Sequence, residues 1–120
     1  SILGVCLGHQ AIAESLGGSL INLEEVFHGI ATPIQIINRP ANGNDIFKNV
    51  PDIFEAGRYH SWIVNEKNLP KKLIITARDK NNLIMAFRHK TFDIHGVQFH
   101  PESILTPFGE QIIRNWLSLN

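Results

Sequence analysis

The sequence predicts an α/β fold, a sheet with helices packed against it, and three observations point there. An apolar run, Ile2 to Val5, leads directly into a glycine-bounded segment and a short helical stretch. Two apolar segments, Leu83–His89 and Phe92–His100, are parted only by Lys90-Thr91, a spacing that suits an antiparallel hairpin. Near the end, Ile112, Ile113, Trp116 and Leu117 recur at helical spacing. A strand feeding a helix, then further strands, a hairpin and a closing helix, is the pattern of helices covering a sheet.

In order along the chain, Ile2–Val5 reads as a strand, Cys6 to His9 as a tight turn, and Gln10–Leu16 as a helix with Ile12 and Leu16 on one face. Gly17-Gly18 supplies the left-handed stop that helix carboxyl ends favour. Ser19–Leu23 and Pro33–Ile37 alternate like strands, with turn chemistry in Arg39 to Asn44. Asp45–Val50 is expected to form one helical turn closed by Pro51. Phe54–Gly57 suits a strand, and Arg58-Tyr59-His60-Ser61-Trp62, mixing aromatic and polar residues, suits a site loop more than a strand. Leu73–Ala77 is β-rich, and Asp79–Asn82 turns into the hairpin. Thr106 is expected to cap the last helix with Pro107 at its first position.

With 120 residues and 43% hydrophobic content, the chain can bury one core and is too short for two ordinary domains. Residues 1–120 are therefore taken as belonging to a single domain. Eleven basic residues balance eleven acidic ones, so no uniform field draws in nucleic acid or an anionic membrane. One cysteine cannot close an internal disulfide, which favours a reducing compartment. No apolar run approaches the roughly 18 residues of a membrane span, and a cytoplasmic location is expected. The chain opens on Ser1 with a strand already under way and no initiator Met, so upstream strands of the same sheet are expected.

Gly4-Val5-Cys6-Leu7-Gly8 places a potential nucleophile between glycines, at the junction of strand and helix. This is the arrangement of a nucleophile elbow, where a sharp turn and close backbone call for glycine. Unpaired N–H groups at the helix start are expected to favour a Cys6 thiolate, and the Leu7 amide is placed to donate to an oxyanion. A free cysteine is more often a small buried hydrophobe. The far end of the chain shifts that balance. His100-Pro101-Glu102 follows an apolar strand, and positions i and i+2 project to similar sides, so Glu102 can orient His100. A thiol, an imidazole and a carboxylate are the nucleophile, base and orienter of acyl transfer. Gln10, four residues past Cys6 and one helical turn in, can reach a polar substrate near the thiol. His9, His89 and His95 show no zinc-ligand spacing with cysteines or carboxylates.

Gly4-Val5-Cys6-Leu7-Gly8-His9-Gln10 and Gly96-Val97-Gln98-Phe99-His100-Pro101-Glu102-Ser103-Ile104-Leu105-Thr106 resemble the signatures of class I glutamine amidotransferases. The Ser103–Thr106 continuation is more similar to the glutaminase subunits of anthranilate and aminodeoxychorismate synthases than to those of GMP or carbamoyl-phosphate synthesis. The resemblance runs from Ser1 to Asn120 and implies a flavodoxin-like sheet with flanking helices, incomplete at its amino end. It implies Cys6 as nucleophile, His100 as base and Glu102 as its partner, with Gln10 and the backbone of Ser61 and Trp62 holding glutamine. Trp62 stands where a smaller aliphatic residue is common, and Ile30 of His28-Gly29-Ile30 stands where lysine is common.

The implied reaction is glutamine hydrolysis through a Cys6 thioester, with ammonia passing to a chorismate-using synthase. No cofactor is implied for this chain; Mg²⁺ would belong to the synthase. The family's second oxyanion donor lies on a loop upstream of Ser1. Loss of one such donor costs on the order of 10² to 10³ in rate, so residues 1–120 alone are expected to hydrolyse little glutamine. The alternatives are the glutaminase of another amidotransferase, such as GMP synthase, and a scaffold subunit without turnover.

Overall fold

A computed structural model describes residues 1–119; Asn120, where the domain reading ends, lies outside them. In chain order the elements are β1 (Ile2–Val5), α1 (Leu7–Ser15), β2 (Leu20–Asn22), β3 (Ile30–Ile36), β4 (Ile53–Arg58), β5 (Trp62–Val64), β6 (Leu73–Asp79), β7 (Ile84–His89), β8 (Ile94–Val97) and α2 (Gly109–Ser118). Six strands form one sheet in the order β1-β8-β7-β6-β3-β4, and β2 pairs with β5 beside it. The α/β prediction holds.

Short connections can join only antiparallel neighbours, and β6, β7 and β8 follow one another in that way. Strands β1 and β8, far apart in sequence, are free to pair in parallel, and they do so with Val5 opposite Val97. That register brings the two ends of the chain to one strand terminus. The Cys6 N–H continues it by donating to the Val97 carbonyl at 2.8 Å.

Two apolar clusters support the sheet. One joins Ile34, Phe47, Phe54, Met85, Val97 and Phe99 to Ile112 of α2, and the other joins Ile84, Phe87 and Val64 to Ala13 of α1. Alternation along the last part of the sheet sends Val97 and Phe99 into the first cluster, which leaves Gln98 and His100 for the opposite side.

Local differences from the sequence reading have physical causes. Asp45–Val50 forms consecutive turns and no helix, because the Asp45 carboxylate takes the Phe47 N–H at 3.0 Å and Ile46, Phe47 and Val50 are drawn into the core. Strand β4 extends through Arg58, leaving only Tyr59-His60-Ser61 as the loop. Thr106 does not cap α2. Its hydroxyl donates to the His100 carbonyl at 2.7 Å and accepts the Gly57 N–H at 2.9 Å, while Phe108 is the residue before the helix. Leu117 is 62% exposed, and Asn115 takes its place on the inner face of α2 by donating to the Ile46 and Lys48 carbonyls, each at 2.8 Å.

Candidate active site

The turn between β1 and α1 carries Cys6 at φ 54°, ψ −99°. A non-glycine residue in this region costs on the order of 1–3 kcal/mol and persists only where its surroundings enforce it. Here the enforcement is close packing of strand on helix. A Cβ on Gly4 would lie 2.6 Å from the Gly8 carbonyl carbon, so glycine is required at position 4. The same reason does not apply to Gly8, whose own added Cβ would meet open space.

Cys6 is buried, at 8% exposure, and it lines a cavity of about 940 Å³ with Leu7, Gln10, His60, Trp62, His100 and Glu102. Within it, Nδ1 of His100 and Oε2 of Glu102 are 2.8 Å apart. The ring of Tyr59 meets the His100 ring edge-on, with centroids 5.0 Å apart, and its hydroxyl is 3.1 Å from Ser103 Oγ. Tyr59 thus braces the imidazole and the segment that carries Glu102.

The expected thiolate preference of Cys6 is not what the site provides. Burial pushes the thiol pKa up; the Leu7 backbone N–H and the Gln98 side chain pull it back, and the charge of Glu102 pushes it up again. Proximity to a helix start is outweighed by removal from water.

Gln10 is buried instead of solvated, and both amide hydrogens are committed. Nε2 donates to the Trp62 carbonyl at 2.9 Å and to Gln98 Oε1 at 3.0 Å, so its Oε1 is the atom left to meet a ligand. The Trp62 carbonyl also faces His60 Nδ1 at 3.2 Å, and the Ser61 carbonyl accepts the Leu23 N–H at 2.7 Å. With two donors already on it, the Trp62 carbonyl has little left for a substrate. Ser61 and Trp62 both line the cavity, and Trp62 is about half exposed.

His60 is held from below. Arg58, itself 2% exposed, donates from Nε to His60 Nε2 at 3.1 Å and from a terminal nitrogen to Asp79 Oδ2 at 2.9 Å. Because Nε2 accepts, Nδ1 carries the proton aimed at Trp62. Burial, followed by the Arg58 charge, lowers the His60 pKa to about 4. This Asp79–Arg58–His60 chain has no sequence signal beyond Arg58 and His60 falling in one expected site loop. Gln98 has one: a lone amide between Val97 and Phe99, both fully buried. Among the described residues, no group of three or more His, Cys, Asp or Glu could hold a metal. No helix among them is long and apolar enough to cross a membrane.

The family model for class-I glutamine amidotransferases matches residues 1–119. The chain belongs to that family. Among curated relatives of this amidotransferase chain, anthranilate synthase component 2 of Pyropia yezoensis is 48% identical over 117 residues, covering 97% of this chain and 59% of the relative. The aminodeoxychorismate/anthranilate synthase component 2 of Bacillus subtilis is 44% identical, covering 97% and 57%. The chain thus spans somewhat under two thirds of the relatives it matches. In three dimensions it is similar to a Thermoplasma acidophilum protein assigned to GMP synthase, with TM-score 0.87 and 30% identity, covering 98% of this chain and 56% of that one. A Thermotoga maritima glutamine amidotransferase, at TM-score 0.70 and 22% identity, shares the fold; the match covers 96% of this chain and 44% of that one.

Proposed function

We propose that these residues form the glutamine-hydrolysing site of a glutaminase subunit that supplies ammonia to a chorismate-using synthase. The observation that carries the reading is the convergence of Cys6 and the His100–Glu102 pair on one cavity, in a chain of the amidotransferase family. His100 takes the Cys6 proton as the sulfur attacks the side-chain carboxamide of glutamine. The Leu7 amide, first in α1, supports the oxyanion. On collapse the C–N bond breaks, His100 returns the proton to the departing nitrogen, and ammonia leaves a γ-glutamyl thioester. Water, deprotonated by His100, then releases glutamate and restores the thiol. Glu102 keeps Nδ1 protonated and directed toward itself, which turns Nε2 to the reaction.

Ammonia is useful to a synthase only before bulk water protonates it, so a partner enzyme follows from the chemistry. The names of relatives at 41–48% identity favour a synthase that makes anthranilate or aminodeoxychorismate. The likeness to a protein of GMP synthesis is weaker in sequence, at 30%.

A diazoketone analogue of glutamine, followed by mass spectrometry, tests the site. The wild-type polypeptide carrying these residues should take up one label at Cys6, and Cys6→Ser should take up none. Equal labelling of the two removes Cys6 from the mechanism. Labelling without glutamine turnover beside a copurified chorismate-using enzyme selects the scaffold reading.

A further inference from the structure

The proposed reaction gives Cys6, His100 and Glu102 their work and leaves Gln98 with none. Gln98 is fully buried. It lies one residue beyond β8, as Cys6 lies one residue beyond β1, and the pairing of Val5 with Val97 sets the two side by side. Its backbone is pinned there, donating to the Met85 carbonyl at 2.8 Å. Its Nε2 is 3.5 Å from Cys6 Sγ, within range for a hydrogen bond to sulfur.

A primary amide can present either end, and its neighbours decide which. Gln10 Nε2 donates to Gln98 Oε1 at 3.0 Å, so the Gln98 carbonyl is turned to Gln10 and its N–H to the sulfur. Gln10 is fixed in turn by the Trp62 carbonyl, which His60 also holds. Burying a carboxamide costs free energy that a methionine at the same place would avoid. A neutral thiol is a weak acceptor, whereas hydrogen bonds to an ionised partner are roughly twice as strong as neutral ones.

We propose that Gln98 is a catalytic residue that stabilises the Cys6 thiolate, with its amide oriented for that purpose by the Gln10–Trp62–His60 chain. The inference rests on the reading of Cys6 as the nucleophile. As Sγ gives up its proton to His100, the Gln98 N–H gains an anionic acceptor, and the gain falls on the activated state and not on the resting one. The titratable groups that line the cavity with the sulfur are His100 and Glu102 from the segment after β8 and Tyr59 and His60 from the loop after β4. Gln98 is uncharged among them, so replacing it with another neutral residue alters the donor and leaves the local charge as it was.

The experiment uses two neutral variants without a donor, Gln98→Met and Gln98→Leu, both apolar enough for the buried position. The readout is the pH dependence of Cys6 alkylation by iodoacetamide, with thiolate ultraviolet absorbance as a second measure. Loss of a hydrogen bond to a charged group should lower the thiolate fraction below its midpoint pH about 10-fold, moving the midpoint up by about one unit. Gln98→Leu should move it by about the same amount. The value of kcat for glutamine should fall by about the same factor with little change in KM.

A purely structural Gln98 would lower melting temperature and leave the alkylation midpoint in place. An unchanged midpoint in either folded variant overturns the proposal, and the leucine form carries the test if the methionine form does not fold. Alkylation needs no glutamine, so its outcome is separate from that of the nucleophile reading, which falls if Cys6→Ser still hydrolyses glutamine.

Discussion

Glu102 decides how His100 is presented, since the 2.8 Å contact at Nδ1 fixes both the tautomer and the direction of the ring. Glu102→Ala should therefore lower kcat on the order of 10²-fold and move KM little, because in the proposed mechanism the carboxylate orients the base without holding substrate. Steady-state glutamine kinetics of the polypeptide bearing these residues check this. Cys6, His100 and Glu102 can be picked out from sequence because their local spacing carries their meaning: glycines flank the turn, and a strand-like step of two joins imidazole to carboxylate. Gln98 passes for strand filler, although a polar residue between Val97 and Phe99 has no place in a core without a partner. The acidity of Cys6 escapes the sequence for a different reason. A helix start is visible there, while the burial that outweighs it depends on elements distant along the chain.

Among the elements, the segment from His100 to Phe108 behaves as a strap whose two ends are tied by different means. Thr106 binds its own hydroxyl to the His100 carbonyl and to the Gly57 N–H, closing the strap against β4. At the start of α2, a Cβ on Gly109 would lie 2.6 Å from the Pro101 carbonyl carbon and closer still to its oxygen. Gly109→Ala should therefore push Pro101, and with it the His100–Glu102 pair, out of place. Activity is expected to fall at least 10-fold with a stability loss of roughly 1–3 kcal/mol, as overpacking generally costs, read by glutamine turnover and urea unfolding. The strands, α1 and the hairpin are legible because periodicity and glycine punctuation are local signals. The true role of Thr106, the turns of Asp45–Val50 and the outward position of Leu117 are not, since in each case a side-chain hydrogen bond to a distant or neighbouring backbone group displaces the local preference.

For the molecule as a whole, the buried imidazoles set an acid limit. Burial lowers the His9 pKa to about 3, and the Gly96 backbone beside it eases this only in part. With His60 at about 4, both rings are neutral in the native state well below the ordinary value of 6.5. The unfolded chain protonates near 6.5, so the stability these groups permit is fully present above that pH and is lost as pH falls toward about 4 and 3. Between about pH 7 and pH 5, above the carboxylate range, unfolding free energy should drop on the order of 2–4 kcal/mol. Urea titrations at the two pH values measure it, and His9→Leu should remove part of the difference, with His60 and His95, which burial also lowers, carrying the rest. Strand order is the least legible feature at this scale, because the parallel union of β1 and β8 joins segments from opposite ends of the chain and leaves no mark in either.

The backbone at Cys6 also bears on how such a protein can be bred. Glycine would adopt φ 54° without penalty, so a library sorted for heat tolerance alone is drawn toward removing the one cysteine of the sequence, the residue proposed as nucleophile. Durability and turnover compete for a single codon, and a screen that wants both must score them together.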